Sequence, residues 1–408
     1  MKFNKYFMLG LAGLAFAACS NDEDVTNQKD GDKVLLKLSL GRTEQTRAVE
    51  TSAAGLYNNV KSISIHFYTA DDRRLEIART PEKEAAYNAE IASAIDELNK
   101  GTVVDDTDLG KVRATTIAIE DVPETATQVY VVMNENSPIS TGNLTQAKSS
   151  VIRLAGLVEK ADETCVFNQQ NSLMTGLATI GATNAEGVAS ANVAVTPVSS
   201  RLEIKKLTAV KSPVADAMNI TSFSLEGIYI NRFYETGTLD PQMNGNTRTR
   251  KDFGSTKTDY SSTNYEANKI EFMCDEYTEA LASTALTTGG ICEVNCPETG
   301  KNWGYPVLAG KQEPMTDGVY DVANIVVKLS VNIESVGVKE KYLTIVGYKN
   351  ASTNEAIQRF ERRNVYIIED LKFSVDDLGD IPYEGTKKVE ATVKVQPWVG
   401  VPVTPEFN

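Results

Sequence analysis

The stretch KVLLKLSLGRTEQTRAVE, residues 33–50, begins with eight residues that alternate as a β-strand does. Val34, Leu36, Leu38 and Leu40 fall on one face, with Lys33, Lys37 and Ser39 on the other. A polar run carrying Arg42 and Arg47 follows at once, and then TSAAGLYNNV, a loose start to something new. The pattern sets a strand fit for burial directly against a segment open to a trypsin-like protease.

Upstream, MKFNKYFMLGLAGLAFAACS has Lys2 and Lys5, then an apolar run from Tyr6 to Ala18. A membrane-spanning helix needs about 20 apolar residues, so the run is too short for one and fits a secretory signal instead. Ala17-Ala18-Cys19 resembles the end of a bacterial lipoprotein signal, with residues 1–18 removed and Cys19 lipidated. The acidic SNDEDVTNQKDGDK that follows reads as a disordered tether. An acidic run just after the cysteine resembles the surface-export signal of Bacteroidetes lipoproteins, which implies a place outside the cell.

The chain has 408 residues, 41% of them hydrophobic and 24% charged, enough for two or three domains. A net charge of −14 argues against binding nucleic acid, whose phosphates would repel it. The single histidine, His66, lies in SISIHFY among strand residues and reads as structural, which leaves no basis for a His-dependent triad or a multi-His zinc site. Beyond Cys19, the cysteines Cys165, Cys274, Cys292 and Cys296 allow up to two disulfides in three full pairings, and the pairing stays open. The ICEVNC spacing is not that of a zinc ribbon. VVDDTDLG (103–110) lacks the ligand spacing of a calcium loop and reads as a solvated turn. With no P-loop, dinucleotide-binding glycine run or nucleophile elbow either, no metal, no cofactor and no enzymatic activity are expected.

Strand signals dominate the rest: KSISIHFYT, TTIAIEDV, QVYVVMN, SRLEIKKLTAV, SFSLEGIYINRF, NIVVKLSVNIESV, KYLTIVGYKN and RNVYIIEDLKF, bounded by Gly, Asn, Asp and Pro. The fold class is mainly β, of sandwich type, with a few short helices in the first half. One helix is expected in EKEAAYNAEIASAIDELNKG, where Tyr87, Ile91, Ile95 and Leu98 recur at helical spacing. A second is expected in NLTQAKSSVIRL, through Leu144, Ala147, Val151 and Leu154. Residues 237–263, polar and rich in Gly, Ser, Thr and Asn, read as a long surface loop.

The order of these patterns carries a resemblance. QVYVVMNEN, a short helix, NSLMTG (171–176), VTPVSSRLEIKKL, and RRNVYIIEDLKF before a closing strand with a tryptophan together resemble the FimA-type major fimbrial subunits of Bacteroidetes, the type V pilins. The resemblance runs over nearly the whole chain and is weakest in the loop after Gly237. It implies two transthyretin-like β-sandwich domains: a signal peptide at 1–18, a lipidated propeptide with a removable strand at 19–47, an N-terminal sandwich at 48–197, a C-terminal sandwich at 198–384, and a donor segment at 385–408. It also implies an outer-membrane lipoprotein precursor, held by a lipid such as palmitate until an arginine-specific surface protease removes the first strand. The C-terminal strand of another copy then fills the groove by donor-strand exchange, building a surface fimbrium for cell adhesion together with tip and anchor subunits.

The residues are consistent with that scheme. A cut between Arg47 and Ala48 fits best, since Arg47 lies farther from the strand than Arg42. In KKVEATVKVQPWVGVPVTPEFN (387–408), Val389, Ala391, Val393, Val395, Val399, Val401 and Val403 share one parity, as a donor strand requires. The lesser alternative, for the part before Pro397 above all, is that these residues are simply the last strand of the second domain. The expectation is a structural shaft subunit. The alternatives are a glycan-binding or other surface lipoprotein, a fimbrial tip or anchor subunit, and a surface hydrolase.

Overall fold

The computed structural model describes residues 33–43, 60–100, 104–106, 110–135, 139–154, 173–214, 217–240, 249–297, 302–310, 321–362, 364–384 and 388–397. Alternating apolar residues turn its first half into β1 (Lys33–Thr43), β2 (Ile63–Tyr68), β3 (Arg74–Leu75), β4 (Val104–Asp106), β5 (Gly110–Pro123), β6 (Gln128–Met133), β7 (Val151–Arg153), β8 (Met174–Thr179) and β9 (Val188–Pro197). All but β7 join in one sheet of order β3-β2-β6-β8-β9-β1-β5-β4. It doubles over into two layers at β9. Residues 188–195 of β9 run parallel to β1, whereas Thr196 and Pro197 pair with Thr175 and Met174 of β8. The crossing is close: a Cβ on Gly176 would stand 2.5 Å from both the Ala194 carbonyl oxygen and Val193 Cγ1. Only glycine fits there.

Between the layers, Leu36, Leu38, Ile117, Ile119 and Val193 face Phe67, Val129, Val131 and Met174. Helix α1 (Pro81–Lys100) covers this core with Ala94 and Leu98. Proline opens the helix, Glu82 and Glu84 sit in its first turn and Lys100 in its last, each where the helix dipole favours it. The second expected helix is shorter than its periodicity suggests. Helix α2 (Leu144–Lys148) starts on an Asn143–Gln146 capping box and stops at Ser149. Val151–Arg153 becomes strand β7, because β-branched Val and Ile gain more from pairing than from another helical turn.

The second half contains β10 (Ser199–Ile204), β11 (Lys206–Ala209), β12 (Ile220–Asn231), β13 (Phe233–Tyr234), β14 (Thr236–Thr238), β15 (Arg250–Lys251), β16 (Cys274–Ala282), β17 (Cys292–Asn295), β18 (Trp303–Leu308), β19 (Asn324–Ile333), β20 (Gly337–Asn350), β21 (Asn364–Ile368), β22 (Leu371–Phe373), β23 (Leu378–Gly379) and β24 (Lys388–Pro397). Nine of them form a sheet of order β16-β12-β19-β20-β24-β21-β10-β18, with β23 also on β20. The two ends of this sheet meet through side chains: Trp303 Nε1 donates to Tyr277 Oη and Tyr305 Oη to Asp275 Oδ2, both at 2.6 Å. The result is a nearly closed barrel.

The described residues of 237–263 are exposed in part, as their composition suggests, but they are anchored to the core. Among those described, Thr236–Thr238 is strand β14, and the run from Thr249 onward folds back with Phe253 and Tyr260 buried, followed by helix α3 (Ser262–Ala267) carrying buried Tyr265. Asn231 pins it down. Its Nδ2 donates to the Phe253 carbonyl and to the hydroxyls of Tyr260 and Tyr383, and its Oδ1 accepts from the Phe253 N–H at 2.7 Å. Three aromatic anchors outweigh a polar composition.

Strand β14 pairs with β7, stitching the second half to the first. Arg362 adds a bolt, donating to the Leu239 carbonyl and to Thr175 Oγ1 on β8. Burial pushes the neighbouring Tyr130 hydroxyl up to about 12, against the opposing pull of Thr175 and Arg362.

Candidate functional site

Strand β1 does not lie at an edge. It is antiparallel to β5 from Lys33↔Pro123 to Thr43↔Val112 and parallel to β9 from Leu35↔Val188 to Arg42↔Val195. Leu36, Leu38 and Leu40 have no exposed surface, and Val34 is buried beside them. The inward parity is the one the sequence shows, with a register shift against β5 between Val34 and Leu36. On the opposite face Ser39 is buried and its Oγ has no hydrogen-bond partner. The mouth of the slot is shaped by a turn in which Asn184 Oδ1 accepts from the N–H groups of Glu186 and Val188 and Gly187 takes a positive φ of 75°.

Taking β1 away exposes two rows of backbone donors and acceptors, on β5 and β9, with an apolar trough between them. The trough is lined by Ile117, Ile119, Ala191 and Val193. It suits an extended segment with an aliphatic side chain at every second position.

The expected processing residues divide. Arg42 is held within β1, its backbone in register with Arg113 and Val195, so a cut there requires the strand to open first. Arg47, Ala48 and Cys19 lie outside the described residues. So do Val399, Val401 and Val403.

Val389, Ala391, Val393 and Val395 are in β24, and their partners belong to the same chain. Lys388–Val393 runs parallel to β20, and Lys394–Pro397 antiparallel to β21. Ala391 and Val393 are buried in the second core, while Thr392 and Lys394 are exposed. In the single chain these positions leave only if that core opens.

A relation between β9 and β24 escaped the sequence reading. Ala191-x-Val193-x-Val195-x-Pro197 recurs as Ala391-x-Val393-x-Val395-x-Pro397. Both strands first run parallel to one neighbour, then pair antiparallel with another, and end on the proline. Each is the corner strand of its half. The signal was present as an alternation of Ala and Val, masked in β9 by the small side chains of Ala189 and Ala191.

His66 sits on β2 opposite Tyr130, with Nε2 unpartnered, beside a cleft of about 270 Å³ lined also by Arg74, Glu76 and Arg79. Burial first, then Arg74, hold its imidazole below the ordinary range, with Glu135 pulling the other way. Cys292 is a buried free thiol, and Cys165 lies outside the described residues. Among the described residues no group of three or more His, Cys, Asp or Glu is placed to hold a metal ion.

Fold and slot together define a mainly β protein with a folded-over sheet in its first half, a nearly closed barrel in its second, and its first strand buried inside a sheet. No protein-family model matches the chain, and no curated protein matches it. Among solved structures, the chain is similar to a Parabacteroides distasonis protein to which cell adhesion is ascribed, at 13% identity and a TM-score of 0.48, covering 90% of this chain and 100% of the other. It is also similar to a Porphyromonas gingivalis fimbrilin, at 11% identity and a TM-score of 0.44, covering 90% and 98%. A Parabacteroides distasonis fimbrial assembly protein follows at 12% identity and a TM-score of 0.32, covering 83% and 92%.

Proposed function

We infer that the chain is the structural shaft subunit of a surface fimbria and that β1 is a placeholder. The observation that carries this reading is the position of β1, an apolar strand between β5 and β9 that is followed directly by an arginine-bearing segment. The precursor is lipidated at Cys19 and held at the outer membrane. An arginine-specific protease cuts between Arg47 and Ala48, outside the ladder that holds Arg42. The slot opens, and the tail of a second copy enters it. Tip and anchor subunits complete the fimbria, which serves adhesion.

The donor lies past Pro397. Val399, Val401 and Val403 repeat the every-second-residue spacing of Leu36, Leu38 and Leu40, while β24 closes its own barrel. Burying three such side chains contributes roughly 5–9 kcal/mol. Ladder hydrogen bonds add about 1 kcal/mol each, less one donor missing at Pro402. Association entropy offsets several kcal/mol of this. The balance favours a durable joint.

The test is the double substitution Val401→Asp and Val403→Asp, which sets two charges against an apolar trough at several kcal/mol each. The variant is expected to fold, reach the surface and be cut like the parent, yet remain monomeric. Fimbriae of normal length from this variant would exclude the tail as donor.

A further inference from the structure

Strand β3 leaves β2 early, and the gap that opens between them is a cleft. The Thr69 N–H donates to the Arg73 carbonyl at 2.9 Å, and the ladder continues through Tyr68↔Arg74 and Phe67↔Leu75. Its next step would set Ile65 opposite Ile77. Instead β3 ends at Leu75, and no backbone bond joins Ile65 to Ile77 among the described residues. The alternation along β2 fixes where the free groups point. The Asn134 N–H donates to the Ser62 carbonyl, so Ser64 and His66 bond toward β6, and Ile65 turns its N–H and C=O to the side that β3 has left. The space on that side is the cleft of about 270 Å³, lined by Ile65, His66 and Ile77 and by the charged Arg74, Glu76 and Arg79.

Arg74 is half-buried and makes no ion pair or hydrogen bond among the described residues. Arg79 is held against Glu84 at 3.6 Å and over the Tyr87 ring at 3.9 Å. Glu76 is exposed, and Glu135, which also acts on His66, is engaged by Ser64 Oγ and the Ile139 N–H. That leaves Arg74 as the uncommitted cation of the cleft, enough for one carboxylate and too little for a phosphate dianion. Its planar fork matches a carboxylate in shape. Beside it, Ile65 offers one backbone donor and one acceptor, the pair that a secondary amide completes at a sheet edge. We propose that this cleft binds a small ligand carrying a carboxylate a few bonds from a secondary amide. The carboxylate lies on Arg74, the amide on the Ile65 backbone, and the aliphatic part against Ile65 and Ile77. A peptide C-terminus and an N-acylated acidic sugar share that chemistry, and the volume admits a unit of that size. Strands β6, β8 and β9 stand between β2 and the β1 slot, so the inference does not rest on the polymer reading.

The test titrates the full chain calorimetrically with two probes, N-acetylneuraminic acid and N-acetyl-glycyl-leucine, each beside its methyl ester. At least one acid is expected to bind at a single saturable site. Its ester, which keeps the amide and loses the charge, should bind about tenfold more weakly or worse. Arg74→Gln should weaken the acid by a similar factor, and Glu76→Gln should strengthen it. The acid that binds more tightly tells an acidic sugar from a peptide end. Failure of both acids to bind at millimolar concentration, or equal binding of acid and ester, overturns the proposal. Binding that Arg74→Gln leaves unchanged overturns it as well. If Arg74→Gln melts well below the parent, the ester comparison, made on the parent alone, decides.

Discussion

Leu38 lies in register with Ile117 on one side and Ala191 on the other, and no part of it reaches solvent. Leu38→Ala removes buried methyl groups where the surrounding strands collapse little, a loss of about 2–5 kcal/mol. The placeholder reading makes that loss conditional. The precursor of the variant should melt at a clearly lower temperature than the parent precursor, whereas cut fimbriae, which no longer hold residue 38, should dissociate at the parent's temperature. A variant that destabilises precursor and fimbria alike would mean that β1 stays in place. In the proposed processing, Arg47 is preferred to Arg42 for its position rather than its type, since the backbone of the equally basic Arg42 is tied into two ladders.

At the scale of elements, both halves close on a corner strand that passes from one layer to the other. In the first half this depends on Gly176, where β9 crosses β8 within contact distance of backbone. Gly176→Ala should lower the denaturant midpoint by about 1–3 kcal/mol of stability through overpacking, and an unchanged midpoint would show that the layers have slack there. The strands with large aliphatic alternation, β1, β2, β5, β6, β12, β19 and β20, were legible in the sequence, as was α1 from Tyr87, Ile91, Ile95 and Leu98. Strand β9 was not, since alanines carry little hydrophobic contrast. The helix expected through Leu154 lost its second half to pairing with β14, a partner more than eighty residues away. Arg201 and Glu203, polar positions within the strand pattern SRLEIKKLTAV, are buried as an ion pair with Asn302 donating to Glu203. Local periodicity does not report what a distant segment covers. Strand β1 was legible because it carries the alternating pattern, whereas its place between β5 and β9 depends on partners far along the chain.

Over the whole molecule, buried tyrosines tie the second half together. Burial raises the hydroxyls of Tyr229, Tyr260, Tyr265, Tyr305, Tyr342 and Tyr348 above their ordinary range, so the fold favours their neutral form. Below about pH 10 neither folded nor unfolded chain ionises them, and they add no pH dependence. Above that pH the unfolded chain loses protons that the folded chain retains, and stability falls by about 1.4 kcal/mol per pH unit for each such group. Denaturant midpoints are therefore expected to hold from pH 8 to 10 and drop steeply beyond, with several protons released per unfolding event. A shallow decline would mean that the hydroxyls ionise in the folded protein.

The claim that joins these scales is that one slot is filled first by β1 and later by the tail of another copy. Hydrogen exchange at the backbone amides of residues 112–119 and 188–195, which flank β1, tests it most directly. The amides that face β1 should be protected in the precursor, exchange fast in the cut chain lacking residues 398–408, and be protected again in fimbriae. Continued protection in the cut, tail-less chain, or fast exchange in fimbriae, would contradict it.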